Sequence, residues 1–451
     1  MYDNYYFIGI GGIGMSALAR YFKYIGKNVS GYDRTPSRLT EQLEKEGIQV
    51  HYEDRPDLVP INVRKTFVIY TPAIPDDLGE MEYVRDKGYS MCKRSRALGE
   101  IAGGKTCLAI SGTHGKTTTS TLLAHIFASG TEEGCTAFLG GISKNYHSNL
   151  LLSEGNVLVA EADEFDRSFH QLHPQIAVVT AVDADHLDIY GTYEAVQESF
   201  RVFASQVAAD GFLVAKLGAA LPTEGVKARI LHYSYDQPCD FYASDIKPIE
   251  GGYFSFTLNH PGGKITGCTV GVPGWVNVEN AVAAASVSLL YGVPAENIKQ
   301  ALASFSGVER RFDIHVNTPK AAYIDDYAHH PKEIASAISS MRNIFAGRHL
   351  TGIFQPHLFT RTRDFADEFA QALSGLDSLI MLPIYPAREL PIEGVTSSII
   401  FDKVTISDKV LVEKSALMDT IKSRKIDCLV TFGAGDIDRF IPTIEEYVKT
   451  L

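Results

Sequence analysis

The stretch from Gly112 to Thr119 reads Gly-Thr-His-Gly-Lys-Thr-Thr-Thr and constrains the possible fold more than any other part of the chain. The apolar run from Cys107 to Ile110 precedes it and predicts a buried strand. Apolar residues at helical spacing follow it, from Thr121 to Ala128. A strand, a glycine-rich turn, a Lys-Thr pair and a helix make a phosphate-binding loop, because crowded backbone N–H groups and a helix N-terminus attract a polyphosphate. The stretch therefore predicts an ATP-binding domain.

The residues of this loop have distinct expected roles. Lys116 is expected to reach the terminal phosphates of ATP, and the Thr117 hydroxyl to bind Mg²⁺. The general pattern has glycine six residues before the lysine, where this chain has Ile110. An ordinary glycine-rich turn is the alternative, but it gives no reason for a Lys-Thr-Thr-Thr run at the start of a helix. The expected ATP contacts in the loop are Gly112, Thr113, His114, Gly115, Lys116, Thr117 and Thr118.

Length and composition set the broad class of the protein. At roughly 150 residues per domain, the 451 residues suggest about three domains. The formal net charge of −12 argues against a nucleic-acid partner, because such binding needs a basic face. The six cysteines include no Cys-x-x-Cys pair, so a reducing cytoplasm is expected, with neither a zinc site nor a disulfide framework. No apolar run has the length of a membrane span, and because a strand is predicted almost at the N-terminus, no signal peptide is expected.

Residues 1–104 predict a first domain with a Rossmann-like fold. A strand from Tyr5 to Ile10 runs into Gly9 to Gly14, which matches Gly-x-Gly-x-x-Gly, and a second strand, near residues 28–32, ends at Asp33. This fingerprint predicts a diphosphate bound at the loop. Binding of NAD, or tight strand–helix packing without a ligand, are the alternatives. The candidate contacts are Gly11, Gly12, Ile13, Gly14, Met15, Ser16, Asp33 and, after the strand from 66 to 70, Thr71.

Acidic residues follow two strands of the domain predicted at residues 105–313. The strand from 157 to 160 leads to Glu161, Asp163 and Glu164, and the strand from 176 to 181 leads to an Asp-Ala-Asp-His run that ends at His186. Carboxylates at strand ends are often helix caps, but two such clusters beside a phosphate loop favour Mg²⁺, which prefers oxygen ligands. Farther along, Asn280 lies at the start of an alanine-rich helix and either caps it or contacts a base edge.

Residues 314–451 again alternate strand and helix. Four predicted strands, at 321–324, 350–354, 379–382 and 428–432, each end in a polar loop. These loops span residues 325–331, 355–363, 385–389 and 433–436. Parallel sheets place their sites at the carboxyl ends of the strands, so this edge is expected to carry a site that faces the ATP domain.

This ordered series of motifs closely resembles the Mur ligases over nearly the whole chain. The residues that carry the resemblance are Gly9–Ser16, the short phosphate loop, Glu161–Glu164, Asp185–His186, Glu309–Phe312, Asp325–Pro331, Gln355–His357 with Thr360–Arg363, and Gly433–Ile437. The resemblance implies an α/β protein of three domains: a Rossmann-like N-terminal domain, a central P-loop ATPase-type domain with a parallel sheet, and a Rossmann-like C-terminal domain. A monomer or a weak homodimer is expected.

The resemblance also implies roles for individual residues. The first domain is expected to hold UDP-N-acetylmuramate through its eight candidate contacts, the second ATP, and the third the amino acid. One Mg²⁺ is expected at Thr117 and Glu161, and His186 is expected to help bind a second. Further expected nucleotide contacts are Asn280, Arg311 and Asp326. The expected catalytic residues are Lys116, Glu161, His186, His329, His330 and Arg361, the last three near the amino acid and the lactyl carboxylate.

Among family members, the third-domain loops are most similar to those of the enzymes that join L-alanine to the lactyl carboxylate of UDP-N-acetylmuramate. The expected activity is therefore this ADP-forming ligation, through an acyl phosphate, in peptidoglycan precursor biosynthesis. Ligation of a recycled tripeptide to the same UDP-sugar, an NAD-dependent oxidoreductase and a nucleotide-binding regulator without catalysis are the alternatives. Two residues depart from the family pattern: Val276 stands where histidine is common, and Leu358 where many members have arginine.

Overall fold

The computed structural model describes residues 2–387 and 389–451, and it describes Asp188 through its backbone only. The described chain forms three sheets, of five, ten and six strands. By packing, the residues up to 249 together with 253–308 form one compact unit that contains the first two sheets, and 309–451 with 250–252 form a second unit. The chain passes from the first unit to the second between Val308 and Glu309, so Arg310 and the residues next to it belong to the second unit.

The first sheet is a parallel sheet covered by helices. Its strands are β1 (Asn4–Ile8), β2 (Asn28–Tyr32), β3 (Gln49–His51), β4 (Thr66–Tyr70) and β5 (Ser90–Lys93), and its helices are α1 (Ile13–Tyr24), α2 (Arg38–Lys45), α3 (Gly79–Asp86) and α4 (Arg94–Ala102). The strand order is β3-β2-β1-β4-β5, with β1 at the centre. Side chains alternate along β1, so Phe7 packs towards α1 while Tyr6 and Ile8 pack on the opposite face. The strands predicted at 28–32 and 66–70 are confirmed.

The first strand is shorter than predicted. It ends at Ile8, and Gly9 and Ile10 lie in the turn that leads to α1. Gly9 has a φ of +87°, a left-handed conformation that leaves the strand and favours glycine. The turn therefore places the rest of the glycine loop at the carboxyl end of β1.

The second sheet has a parallel centre and antiparallel edges. Its strands are β6 (Thr106–Ser111), β7 (Thr136–Ser143), β8 (Ser148–Leu151), β9 (Val157–Glu161), β10 (Ile176–Val179), β11 (Phe212–Lys216), β12 (Arg229–Ser234), β13 (Phe241–Ile249), β14 (Tyr253–His260) and β15 (Gly263–Thr269). Its helices are α5 (Lys116–Gly130), α6 (Leu187–Tyr190), α7 (Tyr193–Ser205), α8 (Trp275–Tyr291) and α9 (Ala295–Ser304). The strand order is β15-β14-β13-β12-β11-β10-β6-β9-β7-β8. Strand β6 lies between β9 and β10, so the phosphate loop after β6 emerges between the two acidic strand ends.

Helix α5 is buried along most of its length because it packs between this sheet and α8. Its apolar residues Leu122, Leu123, Ile126 and Phe127 are fully buried. A helix that is apolar on most sides is stable only in such a position. The phosphate loop is thus attached to one of the most buried helices of the unit.

The third sheet is parallel except at one edge. Its strands are β16 (Asp313–Asn317), β17 (Ala322–Asp326), β18 (Leu350–Phe354), β19 (Ser378–Met381), β20 (Lys409–Leu411) and β21 (Cys428–Phe432). Its helices are α10 (Pro331–Ile344), α11 (Phe359–Asp364), α12 (Ala366–Leu373), α13 (Ser398–Phe401), α14 (Leu417–Lys422) and α15 (Ile441–Lys449). The order is β16-β17-β21-β18-β19-β20, with β16 antiparallel to β17. The four predicted strands therefore lie side by side in this sheet, as expected. Among the described residues, no helix is both long and apolar enough to cross a membrane.

Candidate active site

The phosphate loop joins β6 to α5, and its shape requires glycine. Gly112 has a φ of +128° and Gly115 a φ of +79°. A Cβ atom on Gly112 would lie 2.1 Å from Thr180 Oγ1, so no side chain fits there. The Thr180 hydroxyl lies at 3.2 Å from the Ser111 carbonyl and also contacts the carbonyl of His114. The end of β10 therefore fixes the shape of the loop.

The remaining loop residues face the same strand end. The Thr113 N–H donates to Ala181 O at 3.0 Å, and the Thr113 hydroxyl accepts from Asp183 N at 3.3 Å. His114 Nε2 lies 3.3 Å from an oxygen of Asp183. The N–H groups of residues 116–118 belong to the first turn of α5. They therefore have no hydrogen-bond acceptor within the helix. These amides and the positive end of the helix dipole suit a polyphosphate.

Lys116 lies in a buried cluster of opposite charge. Its Nζ donates to Gly112 O at 2.8 Å and contacts both carboxylate oxygens of Glu164, at 2.8 and 2.7 Å. The side chains are 14% and 1% exposed. Burial alone would lower the pKa of Lys116, but the nearby carboxylates of Glu164, Asp163 and Glu161 outweigh it and raise the pKa above its usual range. Lys116 is therefore a fixed positive charge at the mouth of the loop.

Glu161 and Thr117 place a carboxylate and a hydroxyl side by side. The Thr117 hydroxyl donates to Glu161 Oε1 at 3.0 Å, and the other carboxylate oxygen accepts from Gly140 N at 3.1 Å. A Cβ on Gly140 would lie 2.3 Å from that oxygen, so the absence of a side chain there makes room for the carboxylate. A hydroxyl and a carboxylate fit Mg²⁺, which keeps much of its shell as water and phosphate oxygens. The described residues contain no group of three or more His, Cys, Asp or Glu placed to hold a metal ion together.

His186 is brought next to this charge cluster. It has a left-handed φ of +54° at the start of α6, and its N–H donates to Asp185 Oδ1 at 2.8 Å. Its Nε2 lies 3.8 Å from Glu164 Oε1 and 3.8 Å from Asp185 Oδ2. Its ring also packs edge-to-face on Phe165. The predicted second metal ligand therefore lies near Lys116 and Glu164, and its role stays a prediction.

Asn280 lies against the phosphate loop from the side of α8. Its Oδ1 accepts from the Thr119 hydroxyl at 3.2 Å, and its Nδ2 donates to Asn277 Oδ1 at 3.2 Å. A Cβ on Gly115 would lie 3.0 Å from Asn280 Oδ1. Because Asn280 is the sixth residue of α8 and bonds to side chains, it does not act as the helix cap; Gly274 is the N-cap residue. Its predicted contact with adenine stays a prediction.

The glycine loop of the first domain has no side chain capping its helix. Gly12 is the N-cap residue of α1, and the first turn carries no acidic residue. Asp33 holds the loop from outside, because its Oδ2 accepts from Gly11 N at 2.8 Å. Thr71 lies on the other side, where a Cβ on Gly9 would come within 2.5 Å of its methyl group. Asp33 is thus engaged with the loop itself, and its contact with a UDP-sugar stays a prediction.

The second sheet also supports this loop, through a residue that the sequence analysis missed. Asn149, on β8, is fully buried. Its Nδ2 donates to Ile13 O at 2.6 Å and to Ser16 Oγ at 2.9 Å, while its Oδ1 accepts from the Arg20 guanidinium. The only sequence signal is an asparagine within an apolar strand, which does not reveal the distant partner.

In the second unit, Asp326 and Arg311 lie near Tyr327 at the end of β17. Asp326 accepts from Ala328 N at 2.9 Å and from Phe312 N at 3.2 Å. Burial raises the pKa of Asp326 to about 7, although the Ala328 N–H and the charge of Arg311 favour the ionised form. The Arg311 guanidinium lies 4.9 Å from the centre of the Tyr327 ring. The two predicted nucleotide contacts therefore lie in one cluster.

His329 and Arg361 lie in the same cluster. Burial lowers the pKa of His329 to about 4, with Glu333 opposing the shift and the charge of Arg361 adding to it. His329 Nδ1 lies 3.0 Å from Tyr327 O. A carbonyl oxygen only accepts, so Nδ1 carries the proton and Nε2 carries the lone pair. His329 is therefore neutral at pH 7.

The neighbouring His330 has a different position. Its Nδ1 accepts from Lys332 N at 3.3 Å, so its side chain caps α10, and its ring packs on Phe365. Glu333 completes this capping box by accepting from the His330 N–H at 3.3 Å. These contacts give His330 a structural role, and the predicted catalytic one is not tested by them.

Further polar residues lie at the ends of β18 and β21. Gln355 Nε2 donates to Asp436 Oδ1 at 2.8 Å, and Lys414, another residue that the sequence analysis missed, binds the same carboxylate at 2.6 and 2.8 Å. Leu358, at the departure from the family pattern, has a φ of +70° and is buried. Arg388, in the predicted loop 385–389, lies outside the described residues.

Comparison with protein families identifies the class. The model "Mur ligase family, catalytic domain" matches residues 4–106, the Mur ligase middle domain matches 110–288, and the "Mur ligase, glutamate ligase domain" matches 310–435. Together these matches cover well over half of the chain. This chain therefore belongs to the Mur ligase family, which confirms the resemblance seen in its motifs.

Individual relatives narrow the comparison. The UDP-N-acetylmuramate–L-alanine ligase of Porphyromonas gingivalis strain W83 is 50% identical over 453 residues, which cover 99% of this chain and 99% of that protein. The crystal structure of the UDP-N-acetylmuramate-alanine ligase of Thermotoga maritima matches with a TM-score of 0.84 at 26% identity, over 99% of this chain and 100% of that one. The predicted α/β fold of three domains is thereby confirmed.

A second solved structure shares the fold at lower similarity. The murein peptide ligase of Psychrobacter arcticus has a TM-score of 0.74 at 21% identity and covers 100% of this chain and 99% of its own. At that identity the match describes the fold alone.

Proposed function

We propose that this protein joins L-alanine to the lactyl carboxylate of UDP-N-acetylmuramate and converts ATP to ADP and phosphate. The observation that carries the proposal is the 50% identity, over essentially the whole chain, to a protein named for that reaction. The phosphate loop supports it, because Lys116, Thr117 and Glu161 stand together in a geometry suited to phosphoryl transfer. The substrates would be UDP-N-acetylmuramate, L-alanine and ATP, with Mg²⁺ as cofactor.

The first step activates a poor acyl donor. A carboxylate oxygen of the lactyl group attacks the γ-phosphorus of ATP, the bond to the ADP oxygen breaks, and an acyl phosphate forms. Lys116 and the first-turn amides of α5 offset the negative charge on the phosphoryl oxygens during transfer. Mg²⁺ held by Thr117 and Glu161 would supply further charge neutralisation at the phosphates. Because Glu164 already holds the ammonium group of Lys116 in place, this group needs little reorganisation during the reaction.

The second step forms the amide. The amine of L-alanine attacks the acyl carbon, and the tetrahedral intermediate collapses with loss of phosphate. The nitrogen becomes acidic as the C–N bond forms and must lose a proton. We assign His329 as the acceptor rather than His330, because His329 carries its lone pair on Nε2 whereas His330 uses its acceptor nitrogen to cap α10.

The amine substrate is tested by measuring ADP release. The enzyme is incubated with ATP, Mg²⁺ and UDP-N-acetylmuramate, with L-alanine, with the tripeptide L-alanyl-γ-D-glutamyl-meso-diaminopimelate, or with neither. We expect rapid release with L-alanine and weaker release with glycine or L-serine, because one methyl group is worth only about 1–3 kcal/mol of discrimination. Efficient use of the tripeptide, or tight binding of NAD, would overturn the proposal.

The carboxylate of L-alanine is assigned to Arg361. Its planar guanidinium makes paired hydrogen bonds that a lysine cannot copy. Arg361→Lys should therefore raise the KM for L-alanine by roughly tenfold or more and leave the KM for ATP unchanged. Arg363→Lys is the matched control, because Arg363 is exposed and pairs with Asp364 at 2.7 Å. An unchanged KM for L-alanine in the Arg361 variant would remove this assignment without affecting the proposed reaction.

A further inference from the structure

Arg94 lies against the glycine loop of the first domain, although it is distant in sequence. It is the first residue of α4 and follows β5 directly, at the carboxyl edge of the first sheet. A Cβ atom on Gly14 would lie 2.7 Å from Arg94 Nη1 and 3.0 Å from its Cδ. The guanidinium therefore lies against the first turn of α1, in the space that a side chain at position 14 would occupy.

The bonding of Arg94 within the protein is weak. Its nearest carboxylate is that of Asp163, and the Nη2–Oδ2 distance of 3.9 Å is too long for a hydrogen bond. Over the part of the chain that the structure describes, the guanidinium donates no hydrogen bond. The side chains of Arg94 and Asp163 are 22% and 38% exposed. The neighbouring Lys93, in contrast, has a close ion pair with Asp166 at 2.9 Å.

The loop below Arg94 is built to receive an anion. The N-terminus of α1 has no capping side chain and no acidic residue in its first turn. Asp33 and Asn149 hold the loop by its Gly11 N–H and its Ile13 carbonyl, which leaves the amides of the first turn pointing along the helix axis. A diphosphate at this position would meet amide donors on one side and a guanidinium on the other.

We propose that Arg94 binds the diphosphate of the UDP-sugar, and that the diphosphate draws it away from Asp163. The inference rests on the proposed function for the identity of the sugar nucleotide, and on the position of Arg94 for the exchange. An arginine that loses only a 3.9 Å ion pair gives up little when it forms hydrogen bonds to phosphate oxygens. The exchange thus costs less than the separation of a close pair such as Lys93 with Asp166.

The exchange links the two substrate sites. Asp163 lies on the segment after β9, between Glu161, which contacts the Thr117 hydroxyl, and Glu164, which pairs with Lys116. When Arg94 turns to the diphosphate, Asp163 loses a neighbouring positive charge, and the field at Lys116 becomes more negative. Binding of the sugar nucleotide and of ATP with its metal are then coupled, and the coupling acts equally in both directions.

The test measures binding by calorimetry without ATP, with uridine and UDP as probes and UDP-N-acetylmuramate as substrate. Arg94→Ala and the bulkier Arg94→Gln should weaken the binding of UDP and of UDP-N-acetylmuramate at least roughly tenfold. The affinity for uridine should stay unchanged, since uridine has no phosphate. Lys93→Ala is the control at the adjacent position, and we expect it to change none of the three affinities. Thermal melting of each variant separates a lost contact from a lost fold.

Asp163→Asn tests the exchange itself. The asparagine keeps an oxygen to accept from Phe165 N, which Asp163 Oδ1 does at 3.2 Å, but it no longer attracts Arg94. UDP should therefore bind a few-fold more tightly to this variant, and the gain should vanish when Arg94→Ala is added.

The outcomes separate this proposal from the proposed function. Parental affinity for UDP in both Arg94 variants would overturn the role of Arg94, even if the enzyme ligates L-alanine normally. Equal or weaker UDP binding by Asp163→Asn would overturn the exchange. A parent protein that binds UDP but not UDP-N-acetylmuramate would contradict the proposed function alone, while failure to bind any uridine diphosphate would overturn both.

Discussion

Two glycine loops of this protein each lead from a parallel strand into a helix, but they obtain their positive charge differently. The loop from Gly112 carries its own cation, because Lys116 folds back onto the Gly112 carbonyl and pairs with Glu164. The loop from Gly9 contains no cationic residue, and Arg94 comes to it from another helix. The phosphate loop thus holds a paired cation of its own, whereas the first-domain loop has only backbone amides and, beside it, a weakly paired arginine.

The supports of the two loops differ in the same way. Thr180, at the end of a neighbouring strand, fixes the phosphate loop through backbone carbonyls. The first-domain loop is fixed by side chains from Asp33 and from Asn149 of the second sheet. A self-contained loop tolerates changes elsewhere, while a loop assembled from several segments responds to them. Substitutions should therefore affect the two sites to different degrees.

The largest effect is expected at Lys116. Lys116→Met keeps an extended side chain but removes the charge directed at the transferring phosphoryl group. Loss of one such preorganised group costs roughly a hundredfold or more in rate. Glu164, 1% exposed, then loses its partner and is expected to take up a proton, because burial already raises its pKa. Steady-state ADP release at saturating ATP, together with thermal melting, measures both consequences.

Lys105→Met is the matched control for this substitution. Lys105 precedes β6 at the opposite end of the strand from the phosphate loop, and its Nζ donates to Gly155 O at 2.6 Å. It should change stability slightly and kcat not at all. A Lys116 variant with near-parental kcat would show that the loop does not carry its own catalytic charge.

The next effect concerns the metal. Glu161→Gln keeps the shape of the side chain and removes a charged oxygen ligand, so the Mg²⁺ concentration for half-maximal rate should rise at least roughly tenfold. The rate should fall as well, and His186→Ala should show a milder form of the same defect. Titration of the rate with Mg²⁺ measures this, and Glu154→Gln, on an exposed turn, serves as the control. If both Glu161→Gln and His186→Ala keep the Mg²⁺ dependence of the parent enzyme, these two residues do not bind the metal and have a structural role.

A substitution in the first-domain loop should affect only one substrate. A Cβ on Gly12 would make ordinary contacts, the closest at 3.7 Å, and Gly12 has a φ of −65°, so Gly12→Val leaves the fold intact. The added methyl groups occupy the approach to the helix N-terminus. UDP-N-acetylmuramate should bind roughly tenfold more weakly, since one or two charged hydrogen bonds are lost, while ATP binding stays unchanged.

Gly104→Val provides the comparison for that variant. Gly104 is exposed, and a Cβ there would approach nothing closer than 3.9 Å. Both affinities should remain at the parental level in this control. If Gly12→Val weakens the binding of ATP as much as the binding of the UDP-sugar, the two loops are not independent sites.

The contrast between the loops also explains what the sequence predicted. The phosphate loop was predictable because its glycines, its lysine and its helix are consecutive, and the short motif contains the chemistry. The strands at 350–354 and 428–432 were predictable because each is a short, mostly apolar run that is buried in the sheet. Arg94 and Asn149 were missed because their relation to the first-domain loop exists only after the chain has folded.

The edges of the second sheet were missed for a related reason. Strands β14 and β15 form a hairpin, and β15 carries Lys264 and Gly267 within only seven residues. Such strands are stabilised by pairing with a neighbour rather than by their own propensity. Likewise, adjacent histidines in one motif do not show which of them caps a helix. Only the hydrogen bonds of His329 and His330 distinguish the two.

The smallest effect is expected at Asn149, which supports the first-domain loop from the second sheet. Asn149→Ala removes the donors to Ile13 O and Ser16 Oγ and leaves the Arg20 guanidinium without that acceptor. The loop keeps its sequence and its contact with Asp33, so the amides shift rather than disappear. The KM for UDP-N-acetylmuramate should rise about threefold to tenfold, the value of one lost hydrogen bond.

Asn145→Ala is the matched control, since Asn145 follows β7 in the same hairpin and bonds to Ser304 O and Ser306 N at 2.9 and 2.8 Å. Both variants lose one asparagine that donates and accepts, so similar decreases in melting temperature are expected. Only Asn149→Ala should raise the KM for the UDP-sugar, because the partners of Asn145 lie within the second domain alone. A parallel rise in both variants would mean that the hairpin acts through general stability, and the first-domain loop would then be as self-contained as the phosphate loop.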